Sequence, residues 1–177
     1  GGVAMSFDVD VTDLDSILGV VELVKSDLGG PHVLVNNAGH SSYHRRVLTT
    51  SAEEIYAVMG SNLVGTIFCS QAVLPAMVKD GEGTIINVSS LAGVHGSMMG
   101  GMAYSAAKAA VINFTRFINN EYPDLGIRAS VVIPGEVNTP IHKITLNHLK
   151  RVSLATLQAE PKPLMVLKNN YRHLLMM

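Results

Sequence analysis

An α/β fold is predicted for this 177-residue chain: an incomplete doubly wound parallel sheet in a three-layer α/β/α arrangement. Three observations predict it. Short apolar runs alternate with amphipathic helical stretches, the pattern of right-handed βαβ units. The apolar runs end in turns rich in Asn, Gly and Ser, the composition of a ligand crevice at the carboxyl ends of parallel strands. Hydrophobic residues make up 47% of the chain and charged residues only 15%, which suits a buried core and excludes a disordered chain.

The elements follow in order. Gly1 to Val11 alternates Val3, Met5, Phe7, Val9 and Val11 with small or acidic residues and is predicted as a strand. Thr12 is the predicted N-cap of the next helix, which carries Ile17, Leu18, Val21 and Val24 and stops at Gly29-Gly30-Pro31. His32 to Val35 suits a buried parallel strand and runs into Asn36-Asn37-Ala38-Gly39, either a plain turn or a place for a flat ligand to approach. Residues 40–50 form a loop whose histidines lack zinc spacing, so no metal site is expected.

Ser51 to Glu54 is a capping box, and the helix it opens runs beyond Met77. Asn62 in its middle is a poor helix former, so it marks either a distortion or an amide facing the crevice. Thr84 to Val88 is the next strand, leading to Ser89-Ser90; these serines either cap a turn or face the crevice. A Gly/Met-rich loop, Val94 to Gly101, precedes a helix that ends at Tyr122-Pro123. Tyr104 and Lys108 lie four residues apart on it, hence on one face, where an ammonium is expected to lower the tyrosine pKa. Gly126 to Ile133 is a further strand, and Pro134 to Pro140 an extended loop. A helix is expected around 142–159, followed by a break at Pro161-Lys162-Pro163. The segment 141–177 holds six Lys/Arg against one acid, dispersed as on a solvated end.

Net charge is −1, which gives no electrostatic case for nucleic acid. Cys69 is the only cysteine, so an intrachain disulfide and a cysteine-based metal site are both excluded. No signal peptide and no membrane-spanning run is read from the sequence, and a reducing, cytoplasmic location is expected.

Taken together the motifs resemble the short-chain dehydrogenase/reductase family over roughly residues 3–141. Asn36-Asn37-Ala38-Gly39 resembles its strand-end motif, Asp10-Val11-Thr12 its adenine-side Asp-Val, and Asn62-Leu63-Val64-Gly65 its central helix. Ile86 to Gly93 is similar to its catalytic-serine strand, Tyr104-x-x-x-Lys108 to its active-site signature, and Pro134-Gly135 through Thr139 to its nicotinamide loop. Six such motifs in family order are far more specific than any one alone.

The resemblance implies a Rossmann-type NAD(P)-binding catalytic domain over 1–141, a poorly matched tail over 142–177, and hydride transfer between NAD or NADP and a small-molecule alcohol or ketone. It implies catalytic roles for Tyr104, Lys108, Ser90 and Asn62. It places Asp10, Val11, Asn36, Ala38, Gly39, Pro134, Gly135, Val137 and Thr139 on the cofactor with Tyr104 and Lys108. Ser90 rather than Ser89 is chosen because it directly precedes Leu91-Ala92-Gly93; its interval to Tyr104 is one residue longer than the family's common spacing. A homodimer or homotetramer through helices 51–79 and 102–121 is also implied.

The glycine-rich phosphate loop and a recognisable last strand are missing from this pattern. In the strand order 3-2-1-4-5-6 the loss of strands 1 and 2 would leave unpaired edges at Val3–Val11 and Val33–Val35. The chain is therefore expected to be a fragment of a longer family member, with a non-catalytic, partner-binding or unstable product as the alternative.

Overall fold

The computed structural model describes residues 4–136 in full, together with the backbone of 164–167 and 174–176. Six strands form one sheet: β1 (Ser6–Phe7), β2 (Val33–Asn36), β3 (Gly83–Val88), β4 (Ile127–Val132), β5 (Leu164–Leu167) and β6 (Leu174–Met176). Their order is β1-β6-β5-β2-β3-β4. Pairing is parallel for β5–β2–β3–β4 and antiparallel where β6 meets β5 and β1.

Two sequence expectations change here. The paired part of the first strand is only Ser6–Phe7, not the whole of Gly1–Val11. And the segment beyond Ile141, from which no last strand was read, supplies two. β5 runs parallel to β2 in the register Asn36 to Leu167, and β6 pairs with β1. The edges expected to be bare are thus filled by the chain's own apolar runs, Leu164-Met165-Val166-Leu167 and Leu174-Leu175-Met176. An unpaired row of amides beside an apolar strand is costly, so any apolar strand within reach has reason to pair there. The helix expected around 142–159 lies outside the described residues.

Four helices connect the N-terminal strands: α1 (Leu14–Leu28), α2 (Ala52–Met59), α3 (Gly65–Asp80) and α4 (Met102–Glu121). Asp13, not Thr12, caps α1, accepting from the Asp15 amide at 3.0 Å. Thr12 is instead engaged by the Asp10 carboxylate, which accepts from its amide and its hydroxyl. Gly29 ends α1, donating its N–H to Lys25 O. The Ser51 hydroxyl accepts from the Glu54 amide at 3.2 Å, as the capping box requires.

The expected distortion at Asn62 takes a definite form: Gly60–Val64 is one turn of π-helix between α2 and α3. Such single turns displace one residue from the α-helical register and re-aim its side chain. The whole run Ala52–Asp80 is long and apolar enough, by length and composition, to cross a membrane, contrary to the reading from sequence. Here its apolar side chains Val58, Cys69, Val73 and Met77 are buried, and α3 packs against α1, β2 and β3. The apolarity serves the protein's own core. Burial pushes the Cys69 thiol up to about 12, so it stays protonated.

Leu34, Ile85, Ile127 and Ala129 point from the sheet into the same cluster as Ile17, Val21, Val24, Val73, Met77 and Ile118. Alternate residues such as Arg128 and Ser130 are exposed. A hydrogen-bonded chain crosses this helical face. Asn36 Nδ2 donates to Asn87 Oδ1 at 2.8 Å and to Ser70 Oγ on α3 at 3.2 Å, and Asn87 Nδ2 donates to Thr115 Oγ1 on α4 at 2.9 Å. Asn36 and Asn87 are register partners, so α3 and α4 cover the same face. Of the three layers expected, the described residues show the sheet and this one.

Every member of the chain is buried, so breaking it leaves polar atoms without water. Asn36→Ala strands Asn87 Oδ1 and is expected to cost about 2–3 kcal/mol, read as a lower urea midpoint at unchanged m-value. A loss below about 0.5 kcal/mol would show the network to be energetically idle.

Candidate active site

Three strand ends, one helix and the π turn supply the candidate site residues. β3 ends at Val88 and passes directly to Ser89 and Ser90; α4 presents Tyr104 and Lys108 on one face, as their spacing requires. The Lys108 amino group lies 5.6 Å from the centre of the Tyr104 ring. It donates to the Val88 carbonyl at 2.8 Å, and the residue is 4% exposed. Ser90 caps the short 3₁₀ turn Leu91–Gly93, its hydroxyl accepting from the Ala92 amide at 3.2 Å. The same hydroxyl hydrogen-bonds Tyr104. Ser89, by contrast, is buried and donates to the Lys108 carbonyl. Of the two serines, then, only Ser90 stands beside the phenol.

The electrostatics reverse one expectation. Tyr104 is held above the ordinary tyrosine value because burial penalises the phenolate; the Ser90 hydrogen bond opposes this without overcoming it. Lys108 does not lower it, because the lysine's own charge is penalised by burial, which pulls its pKa down to about 8. At the high pH where the phenol titrates, an amine with a pKa of about 8 has already lost its charge and supplies no field to favour the phenolate.

Asn62 is fully buried in the π turn. Its Nδ2 donates to His40 O at 2.8 Å and to Val58 O at 2.9 Å. Carbonyls only accept, so the NH₂ end faces them and Oδ1 is the free end. With Ser42 Oγ, Asn62 Oδ1 is one of two buried side-chain polar atoms without a partner among the described residues. Gly39 makes this possible: a Cβ there would stand 2.2 Å from Asn62 Oδ1. Gly39→Ala must therefore expel the Asn62 side chain, at a cost of about 1–3 kcal/mol. Thermal unfolding and the Asn62 side-chain amide NMR signal check this; an unmoved signal at parental stability would contradict it.

The remaining expected cofactor residues divide. Asp10 is exposed between β1 and α1, its carboxylate engaged in the turn with Thr12. Pro134 and Gly135 are half-buried beside the serines, and Pro134 O accepts from the Leu91 amide at 3.0 Å. Ala38 is buried beneath Gly39. Asn36 and Val11 do not present side chains to the crevice. The Asn36 amide is used up in the network under the sheet, and the Val11 side chain is in the core against Gly65. Asn36 ends β2, where the pleat turns it inward, and Val11 sits in the turn before α1. Val137 and Thr139 lie outside the described residues. Sequence reasoning missed His40, whose carbonyl holds Asn62, because a backbone acceptor leaves no trace in residue type. No group of three or more metal-ligating side chains occurs among the described residues.

The fold is that of the Rossmann-type dehydrogenases, and the comparisons agree. The short chain dehydrogenase family model matches residues 1–149, so the chain belongs to the short-chain dehydrogenase family. It is 34% identical over 151 residues to the 3-oxoacyl-[acyl-carrier-protein] reductase FabG of Vibrio cholerae, covering 85% of this chain and 61% of the relative. To the FabG of Thermotoga maritima it is 40% identical over 134 residues, covering 75% and 53%. Among solved structures, ElxO with NADP bound superimposes with a TM-score of 0.69 at 32% identity, covering 73% of this chain and 52% of that one. The chain thus spans between half and two thirds of the length of these relatives.

Proposed function

We propose that this chain carries the proton-transfer half of an NAD(P)-dependent oxidoreductase site acting on the carbonyl or alcohol of a small molecule. The observation that carries it is the convergence of Tyr104, Ser90 and Lys108 at the end of β3, with the π turn that holds Asn62 packed against the same helix. When bound, NAD(P) supplies or accepts the hydride. The residues present fit its nicotinamide end: a lysine amine for ribose hydroxyls and a buried acceptor without a partner, Asn62 Oδ1. Gly39, Pro134 and Gly135 would line that end, and Asp10 would border the adenine.

Ser90 holds the substrate oxygen where negative charge develops. Tyr104 donates its proton to that oxygen as hydride reaches the carbonyl carbon, so the C=O becomes CH–OH and the phenol becomes phenolate. Lys108, with a pKa of about 8, can then return a proton to it. Asn62 Oδ1 offers a buried acceptor for a water on the route to solvent. At neutral pH the phenol is protonated, the form that donates in reduction. The reading includes a cytoplasmic location and a homo-oligomer joined through α2–α3 and α4, on which Tyr56 and Phe117 are 75% and 58% exposed.

One observation favours a second reading, a non-catalytic partner-binding chain. β5 pairs with the flank of β2 that the order 3-2-1-4-5-6 gives to the strand bearing the phosphate loop. Calorimetric titration of this chain with NAD, NADH, NADP and NADPH separates the two. Saturable binding supports the first; heats indistinguishable from dilution for all four support the second. Sedimentation velocity showing only monomer would remove the oligomer.

A further inference from the structure

Ser89 is buried, adjacent to the serine assigned to the substrate, and unused by the mechanism above. Its backbone N–H donates to Val132 O at 2.8 Å, which fastens it to β4. Its hydroxyl donates to the Lys108 carbonyl at 2.7 Å. The neighbouring residue, Val88, accepts from the Lys108 amino group. Both ends of the lysine, backbone carbonyl and ammonium, are therefore tied to two consecutive residues at one strand end. The carbonyl is a mid-helix group, already able to accept from the amide four residues on, so the Ser89 bond is additional to what the helix needs. From the other side the 3₁₀ turn presses on the same peptide unit: a Cβ at Gly93 would stand 2.6 Å from Lys108 C and 2.7 Å from its oxygen.

We propose that Ser89 is a positioning residue for Lys108: it locks the helix against the strand end at this one residue, so that the amino group is held on Val88 O under the Tyr104 ring. Without the hydroxyl the first turns of α4 can shift by a fraction of an ångström while Thr115 and Asn119 hold its later turns to the sheet, and a long lysine side chain turns such a shift into a new position for its amino group and access for water. The groups facing that amine are the Val88 carbonyl and the ring of Tyr104, itself titratable; the Ser89 hydroxyl is directed to the lysine's carbonyl instead.

The proposal rests on the proposed role of Lys108, and its test does not depend on turnover. The pKa of Lys108 is followed by NMR in the chain labelled at lysine ¹³Cε, for the parent, S89A and S89T, with the signal assigned by its absence in K108M. In S89A the titration is expected to move up by at least half a pH unit toward an ordinary lysine, because water reaches the amine. S89T keeps the hydroxyl and is expected to restore the parental midpoint. An S89A midpoint equal to the parent's, or an S89T midpoint that follows S89A, overturns the proposal whatever happens to stability. If S89A does not fold, S89C, which keeps the size with a weaker donor, is expected to titrate between the parent and an ordinary lysine; a parental midpoint there overturns it equally. A lysine that moves as expected in a chain that turns over no substrate would leave the positioning role standing and count against the proposed activity.

Discussion

Tyr104→Phe is expected to lower kcat about 10²–10⁴-fold, the range for losing a positioned general acid, with a much smaller change in nicotinamide cofactor affinity. The hydroxyl is the only atom removed, and the half-buried ring stays to fill its place beside Gly100. The measurement is nicotinamide absorbance with a panel of ketones and alcohols, beside a calorimetric titration of the cofactor. Because the phenol is raised by burial, the reductive rate is expected to be flat across neutral pH rather than to require a phenolate. A Phe variant as fast as the parent would sink the mechanism.

The second large effect is on stability and needs no turnover. Lys108 titrates at about 8 in the folded chain against 10.5 for an ordinary lysine. A lysine with a lowered folded pKa is penalised when charged. Its contribution is therefore present above the unfolded value and lost as pH falls through the folded one. Between pH 8 and 10.5 the unfolded chain binds more protons, so stability rises with pH across that window. The full amplitude is about 3 kcal/mol for a group so deeply buried. Tyr104 has the opposite sign. Its folded pKa is raised, so its contribution is complete below the ordinary tyrosine value and fades above it, flattening the rise beyond about pH 10. Urea unfolding at half-unit steps from pH 7 to 10 checks this. Lys108→Met should abolish most of the slope, since it removes the group whose protonation differs between states; a slope that survives the substitution assigns the effect elsewhere.

These two expectations show where local reasoning stopped. That Tyr104 and Lys108 share a face follows from helical spacing alone. That burial outweighs the ammonium does not, because it depends on Val88, Ser90 and Ala92, brought over from another element. Asn62 was legible as an anomaly, since an asparagine in an apolar helix has to be explained. Its π turn and its free Oδ1 were not, because the partners at His40 and Val58 and the gap left by Gly39 come from three places in the chain. Asn36 is the converse case. It has the right residue type in the right motif, but the pleat of β2 directs it to Ser70 and Asn87.

By itself the sequence determined the alternation of strands and helices, the capping box at Ser51, the turns at the strand ends and the catalytic-type residues on α4. Each of these is set by periodicity or by chemistry within a few residues. Only the tertiary structure decided which polar groups are buried, the direction in which each pKa moves, and what completes the sheet. Burial and field are sums over neighbours distant in the chain. The free flank of β2 is filled by Leu164–Leu167, more than a hundred residues away, because an apolar strand with open amides gains from any partner that can reach it.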